Sequence, residues 1–138
     1  ARDVRFNESE FGVPGDDAVA AFRDLRETVE SHRAQFPVEF RTVAGDDLPL
    51  SPAYGRDSVF LACHRYHRKP YREFLEDCAA TLAPYDARPH WGKHHWYGAD
   101  EFADLYPEWD TFQRVRREFD PDGRFLNDHL GRVFGVGD

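Results

Sequence analysis

Hydrophobic positions along the chain follow two rhythms, one of period two and one close to the helical period of about 3.6. Residues Asp3 to Phe11 alternate loosely, Val4 and Phe6 against Arg5 and Asn7, which predicts a strand that stops at Gly12-Val13-Pro14-Gly15. Asp16 then caps a predicted helix whose apolar stripe, Ala18, Phe22, Leu25 and Val29, fits one helical face and ends near His32. After Pro37 the run Val38 to Val43 alternates cleanly, with Val38, Phe40 and Thr42 on one side and Glu39, Arg41 and Val43 on the other. A polar loop through Asp46, Asp47, Ser51 and Pro52 leads to Ser58–His64, which is apolar almost throughout and predicts a central strand buried on both faces. Pro70 opens a second helix with Tyr71, Leu75, Cys78 and Leu82 inward, and Pro84 closes it. The segment from Ala87 to Lys93 predicts a short extended piece at a sheet edge, because Pro89 cannot donate to a ladder. Beyond it the pattern gives a short helix from Ala99 to Leu105 and a firmer one from Pro107, with Trp109, Phe112, Val115 and Phe119 inward. The turn Asp120-Pro121-Asp122-Gly123 follows.

The order strand, helix, strand, strand, helix, strand predicts an α+β fold. It is an antiparallel sheet covered on one face by helices, a ferredoxin-like split β-α-β unit with helical additions at its C-terminal end. No internal linker or low-complexity segment interrupts it. In such a layout Val38 and Phe40 must face the helices, so Glu39 and Arg41 point to the open face of the sheet.

Composition supports a folded domain. At 138 residues, 41% hydrophobic and 15% aromatic, the chain can bury a core without staples and is too apolar to be disordered. The net charge of −8 and pI near 5.3 speak against nucleic acid or an anionic membrane as the main partner, since either needs clustered positive charge. No run approaches the ~18 apolar residues of a membrane span, so the chain is expected to be soluble. Cys63 and Cys78 match no metal or redox spacing and read as buried thiols of a reducing compartment, the cytoplasm. The sequence contains no methionine, and Ala1 reads as a cut end rather than a natural start.

Two stretches carry candidate chemistry. Glu39 and Arg41, at i and i+2 on one strand face, can hold each other or jointly bind a polar ligand, although a plain solvated strand face has the same spacing. Residues 90–96 gather three histidines, one of only two lysines and two tryptophans, with Gly92 allowing close backbone approach. His90 and His94 have the separation of a helical zinc motif, yet Pro89 and Gly92 oppose a helix and His94 and His95 would face opposite ways in a strand. No metal site is therefore assigned. Cys63 and His64 are adjacent on a strand and point apart, which makes a nucleophile and base pair improbable. Glycine-rich nucleotide loops, phosphate loops and nucleophile elbows are all missing from the sequence.

Residues 6–14, 36–47, 50–56, 63–66, 88–93 and 120–127 together resemble the C-terminal region of FAD-dependent sugar-1,4-lactone oxidases and the related alditol oxidases. The resemblance implies that residues 1–138 form a substrate-binding cap. FAD would be held mainly by an N-terminal domain of the same polypeptide, and the substrate would be a sugar lactone or polyol oxidised by hydride transfer to flavin. It implies roles too: Glu39, Arg41 and Lys93 catalytic, with Glu39, Arg41 and His64 lining the substrate pocket and Lys93 and Asn127 near the cofactor. Cations at Arg41 and Lys93 would lower the barrier electrostatically as negative charge develops on the flavin. The competing expectation is a free-standing ferredoxin-like module that binds a small molecule or a protein through its open sheet face. Under the first expectation the isolated chain is colourless and inactive and self-associates through an exposed apolar surface.

Overall fold

The computed structural model describes residues 4–136. Its elements are β1 (Phe6–Pro14), α1 (Ala18–Ser31), β2 (Glu39–Val43), β3 (Ser58–Tyr66), α2 (Arg72–Leu82), β4 (Arg88–Pro89), α3 (Ala99–Leu105), α4 (Trp109–Phe119) and α5 (Asp128–Phe134). The strands form one antiparallel sheet in the order β2-β3-β1-β4, the split β-α-β arrangement with three helices appended.

Alternation in β1 and β3 divides the sheet into two faces. Phe11 and Val13 of β1 and Val59, Leu61 and Cys63 of β3 pack against Ala21 and Leu25 of α1 and Leu75, Cys78 and Leu82 of α2. Glu8, Glu10 and Gly12 of β1 and Phe60, Ala62 and His64 of β3 fall on the face turned away from those helices. β3 is buried on both faces over Ser58–His64, as its unbroken apolar run requires. Phe40 of the edge strand turns to the helices and meets Phe22 edge to face, with ring centroids 5.8 Å apart. Glu39 and Arg41 therefore lie on the opposite face.

Several boundaries differ from the expectation. Asp3 lies outside the described residues, and the strand continues through the glycine-proline breaker because Gly12, Val13 and Pro14 stay paired with Phe60, Val59 and Ser58. A Cβ on Gly12 would lie 3.2 Å from the Phe60 ring, so glycine here marks close cross-strand packing rather than a strand end. Asp16 does not cap α1. Gly15–Asp17 form a single 3-10 turn, anchored by Gly15 N donating to Asp57 O at 2.9 Å, and Asp17 is the N-cap without a side-chain bond.

The C-terminal helices close a second core around Phe102, Tyr106, Trp109 and Val133, joined by Trp91 from the segment after β4 and Leu50 from the loop before β3. Phe102 stacks on Trp91, Tyr106 and Trp109, with centroids 4.6, 5.7 and 5.6 Å away. Helix α4 departs from its expected apolar face. Trp109 is buried and Phe112 half-buried, but Val115 is exposed and Phe119 is 84% exposed. Gln113 takes the inward place because its amide donates to Phe134 O at 2.9 Å and accepts from Arg116 Nε at 2.9 Å. Helix α5 has no counterpart in the sequence reading; Asn127 caps it by accepting from Leu130 N at 2.9 Å, and Gly135, at φ +63°, ends it.

Candidate active site

The face of the sheet opposite α1 and α2 is unusually charged for its burial. Ladder pairing sets out its residues in rows: Glu39 beside Ala62 beside Glu10, then Arg41 beside Phe60 beside Gly12, with His64 opposite Glu8 in the row before them. Arg41 reaches across β3 to Glu10, its Nη2 bonded to Oε1. Glu10 is 2% exposed and its Oε2 is buried without a hydrogen-bond partner. Arg41 Nε lies 3.8 Å from Glu39 Oε2. His64, buried, places Nε2 3.4 Å from Glu8 Oε1 and 3.9 Å from Glu39 Oε1 while its ring meets Phe6 edge to face.

Lys93 arrives from outside the ladder. Past β4 the chain stays against β1, with His90 N donating to Glu10 O at 2.8 Å and His94 N to Glu8 O at 2.9 Å. Between those bonds His90 to Lys93 form a turn, closed by Lys93 N donating to His90 O at 3.1 Å. The turn delivers the Lys93 ammonium to Glu8 Oε2 at 2.5 Å. An open cleft of about 460 Å³ adjoins this contact, bordered by Phe6, Glu8, Trp91, Gly92, Lys93 and His129.

Four residues singled out from the sequence, Glu39, Arg41, His64 and Lys93, thus converge on one face. Asn127 is exposed and its side chain is engaged in capping α5, two residues before His129 of the cleft wall. Sequence reasoning missed Glu8, which joins His64 to Lys93, and Glu10, which holds Arg41. Their one signal was the i, i+2 spacing of two glutamates on one face of a strand, which the polar Asn7 and Ser9 on the other face obscure.

The three histidines after Pro89 separate. His90 Nδ1 accepts from Gly92 N at 3.0 Å, His94 Nε2 lies 3.1 Å from Asn7 Oδ1, and His95 is buried against Phe102 with neither ring nitrogen bonded. Burial, then the nearby His129, Arg132 and His94, push His95 down to about 4. Among the described residues no three histidine, cysteine, aspartate or glutamate side chains are grouped to hold a metal ion.

Behind the cleft Arg88 is buried, and burial is the main cause that lowers its pKa. Its guanidinium donates to Leu105 O at 2.9 Å and Tyr54 O at 2.7 Å and lies over the Tyr106 ring, which ties the appended helices to the sheet edge.

Comparison with known proteins shows the family of the chain. The family model described as D-arabinono-1,4-lactone oxidase matches residues 1–133. An L-gulono-1,4-lactone dehydrogenase of Mycobacterium tuberculosis is 39% identical over 136 residues, covering 97% of this chain and 32% of its own length. An L-gulonolactone oxidase of Mus musculus is 32% identical over 96% of this chain and 32% of its own. An alditol oxidase of a Streptomyces species is 37% identical over 83% of this chain and 27% of its own. The chain therefore spans about a third of the length of these relatives. A family match over nearly every residue and a relative at 39% identity lead to one conclusion: the chain belongs to the D-arabinono-1,4-lactone oxidase family.

Proposed function

We propose that this chain is the substrate-binding cap of an FAD-dependent oxidoreductase that oxidises an alcohol group of a sugar lactone or alditol. The observation that carries the reading is the convergence of Glu39, Arg41, His64 and Lys93 on one sheet face, Glu39 lying between Arg41 and His64 and Glu8 between His64 and Lys93. In this reading FAD is bound mainly by a region of the protein outside these residues.

The donor set suits a flavin and a polyhydroxylated substrate. Lys93, beside the cleft, would supply a cation to the flavin, and Asn127 is assigned to the cofactor side by resemblance. Arg41 donates to substrate oxygens, and Glu39, partly exposed beside it, accepts from substrate hydroxyls and so orients the reacting carbon. His64 is held by Glu8 and Phe6 and offers a polar wall to the substrate. FAD, when bound, supplies the acceptor for the hydride that leaves the substrate carbon. Arg41 and Lys93, held in place by Glu10 and Glu8, would meet negative charge developing at such an acceptor without reorganisation.

The test is a panel of aldonolactones and alditols offered to the full-length protein loaded with FAD, with O2 or an artificial dye as the final acceptor. Turnover of at least one class is expected. Flavin-loaded protein that turns over no member of the panel would overturn the proposal.

A further inference from the structure

We infer that Glu10 is a positioning residue: it acts on the proposed reaction only through Arg41, by holding that guanidinium over the sheet. The inference rests on the proposed function for its kinetic part and on the geometry alone for the rest.

Arg41 belongs to β2, an edge strand, and its side chain is 53% exposed. An arginine so placed ordinarily samples many rotamers. Here it is drawn inward across β3 to a carboxylate on β1, two strands away and roughly 10 Å between backbones at the usual strand spacing. Both side chains must extend to span that distance. The row that contains Glu10 has Ala62 as its β3 member, and a methyl group is small enough to let the two meet above it.

The energetics run one way. Glu10 is 2% exposed, Oε1 is held by Arg41, and Oε2 is buried without a partner. If Arg41 swung into solvent, a buried carboxylate would lose the cation that pairs with it among the described residues, and leaving one half of such a pair behind is strongly unfavourable. The cost of moving therefore sits on Glu10 while the group that stays in place is Arg41. Glu39, only partly buried and 3.8 Å from Arg41 Nε, cannot impose the same constraint.

The test uses full-length protein. Glu10→Gln keeps the shape and removes the charge, and it is expected to lower kcat/KM at least tenfold. In an Arg41→Ala background the same change is expected to alter kcat/KM less than twofold, because the residue it acts through is gone. Tenfold losses in both backgrounds would overturn the inference. A second readout needs no turnover: in 15N-labelled protein the Arg41 Nη signals, identified by their loss in Arg41→Lys, are expected to be those of a slowly rotating guanidinium and to vanish in Glu10→Gln. Persistence of those signals would also overturn it. Should Glu10→Gln fail to fold, Ala62→Val must produce the same loss by placing a branched side chain between the two charges. If the wild-type protein oxidises none of the panel, the functional proposal fails and the guanidinium spectrum alone decides the positioning of Arg41.

Discussion

Glu8 and His64 face each other directly across β1 and β3, with Oε1 3.4 Å from Nε2, and the second oxygen of the same carboxylate takes the Lys93 ammonium at 2.5 Å. One side chain of β1 thus holds two groups from different parts of the chain, and both become underpartnered if it is lost. Glu8→Ala is expected to lower stability by about 1–3 kcal/mol, the usual cost of leaving largely buried polar partners unmade. Urea unfolding of wild type and variant checks this. A loss below about 0.5 kcal/mol would mean that the contact behaves as an exposed surface pair.

Lys93 is the cation nearest the cleft, and its proposed task is electrostatic. Lys93→Ala in the full-length enzyme is expected to lower kcat by about a hundredfold, by comparison with the loss of a single preorganised donor elsewhere. Steady-state kinetics on the best substrate of the panel provide the measurement. An unchanged kcat with a raised KM would reduce Lys93 to a binding residue.

How much of this site could be read from the sequence depended on which residues had a rhythm to betray them. Glu39 and Arg41 stand in the cleanest period-two run of the chain, so their face followed from Phe40 having to meet a helix. The roles of Lys93 and His64 came from the resemblance, because a turn that leaves a ladder has no period and His64 sits at the end of an apolar run; only the unusual make-up of residues 90–96 drew notice to Lys93 beforehand. Glu8 and Glu10 were hidden by their neighbours: Phe11, Gly12 and Val13 are all buried, so the strand lacks the polar face that marks alternation. The α1 and α2 stripes were legible for the opposite reason, being amphipathic over three turns. Helix α5 and the inward face of α4 were not, since Gln113 is buried by hydrogen bonds that no hydrophobic pattern encodes.

Phe102 is the hub of the second core, fully buried and stacked on three rings. Phe102→Ala is expected to cost about 3–5 kcal/mol, as truncation of a buried aromatic does when its cavity cannot collapse. Three stacked rings leave little freedom to collapse. Urea unfolding monitored by tryptophan fluorescence reports on it directly, because Trp91 and Trp109 are the rings that would lose their partner.

Cys63 and Cys78 are both free and buried in the main core. A hydrogen bond between the two thiols and then burial push Cys78 well up from the ordinary thiol range. Neither thiol is expected to react with a disulfide reagent such as DTNB in the folded protein at neutral pH, and both are expected to react on unfolding in urea. Rapid modification of either in the native state would place it outside the core.

The last prediction concerns acid. In the unfolded chain His95 takes up a proton near its ordinary value of 6.5; in the folded chain burial first, and then His129, Arg132 and His94, bring it down to about 4. Between those values the unfolded state binds more protons than the folded one, so stability must fall as pH falls. The contribution is whole above pH 6.5, is lost progressively toward pH 4 and is flat below that, reaching about 3 kcal/mol at most for a single group with this difference. His129 is lowered as well, by burial and by Arg132, and adds a smaller term of the same sign. Carboxylates titrate at the lower end of the same window, so the total acid loss does not isolate His95. The difference between wild type and His95→Leu does. The variant removes a ring whose nitrogens are both unpartnered and gives the site an apolar side chain among Phe102 and Tyr97. Its unfolding free energy should therefore decline less than that of wild type between pH 6.5 and 4.5. Parallel curves over that interval would show that His95 is protonated equally in both states and would overturn this reading.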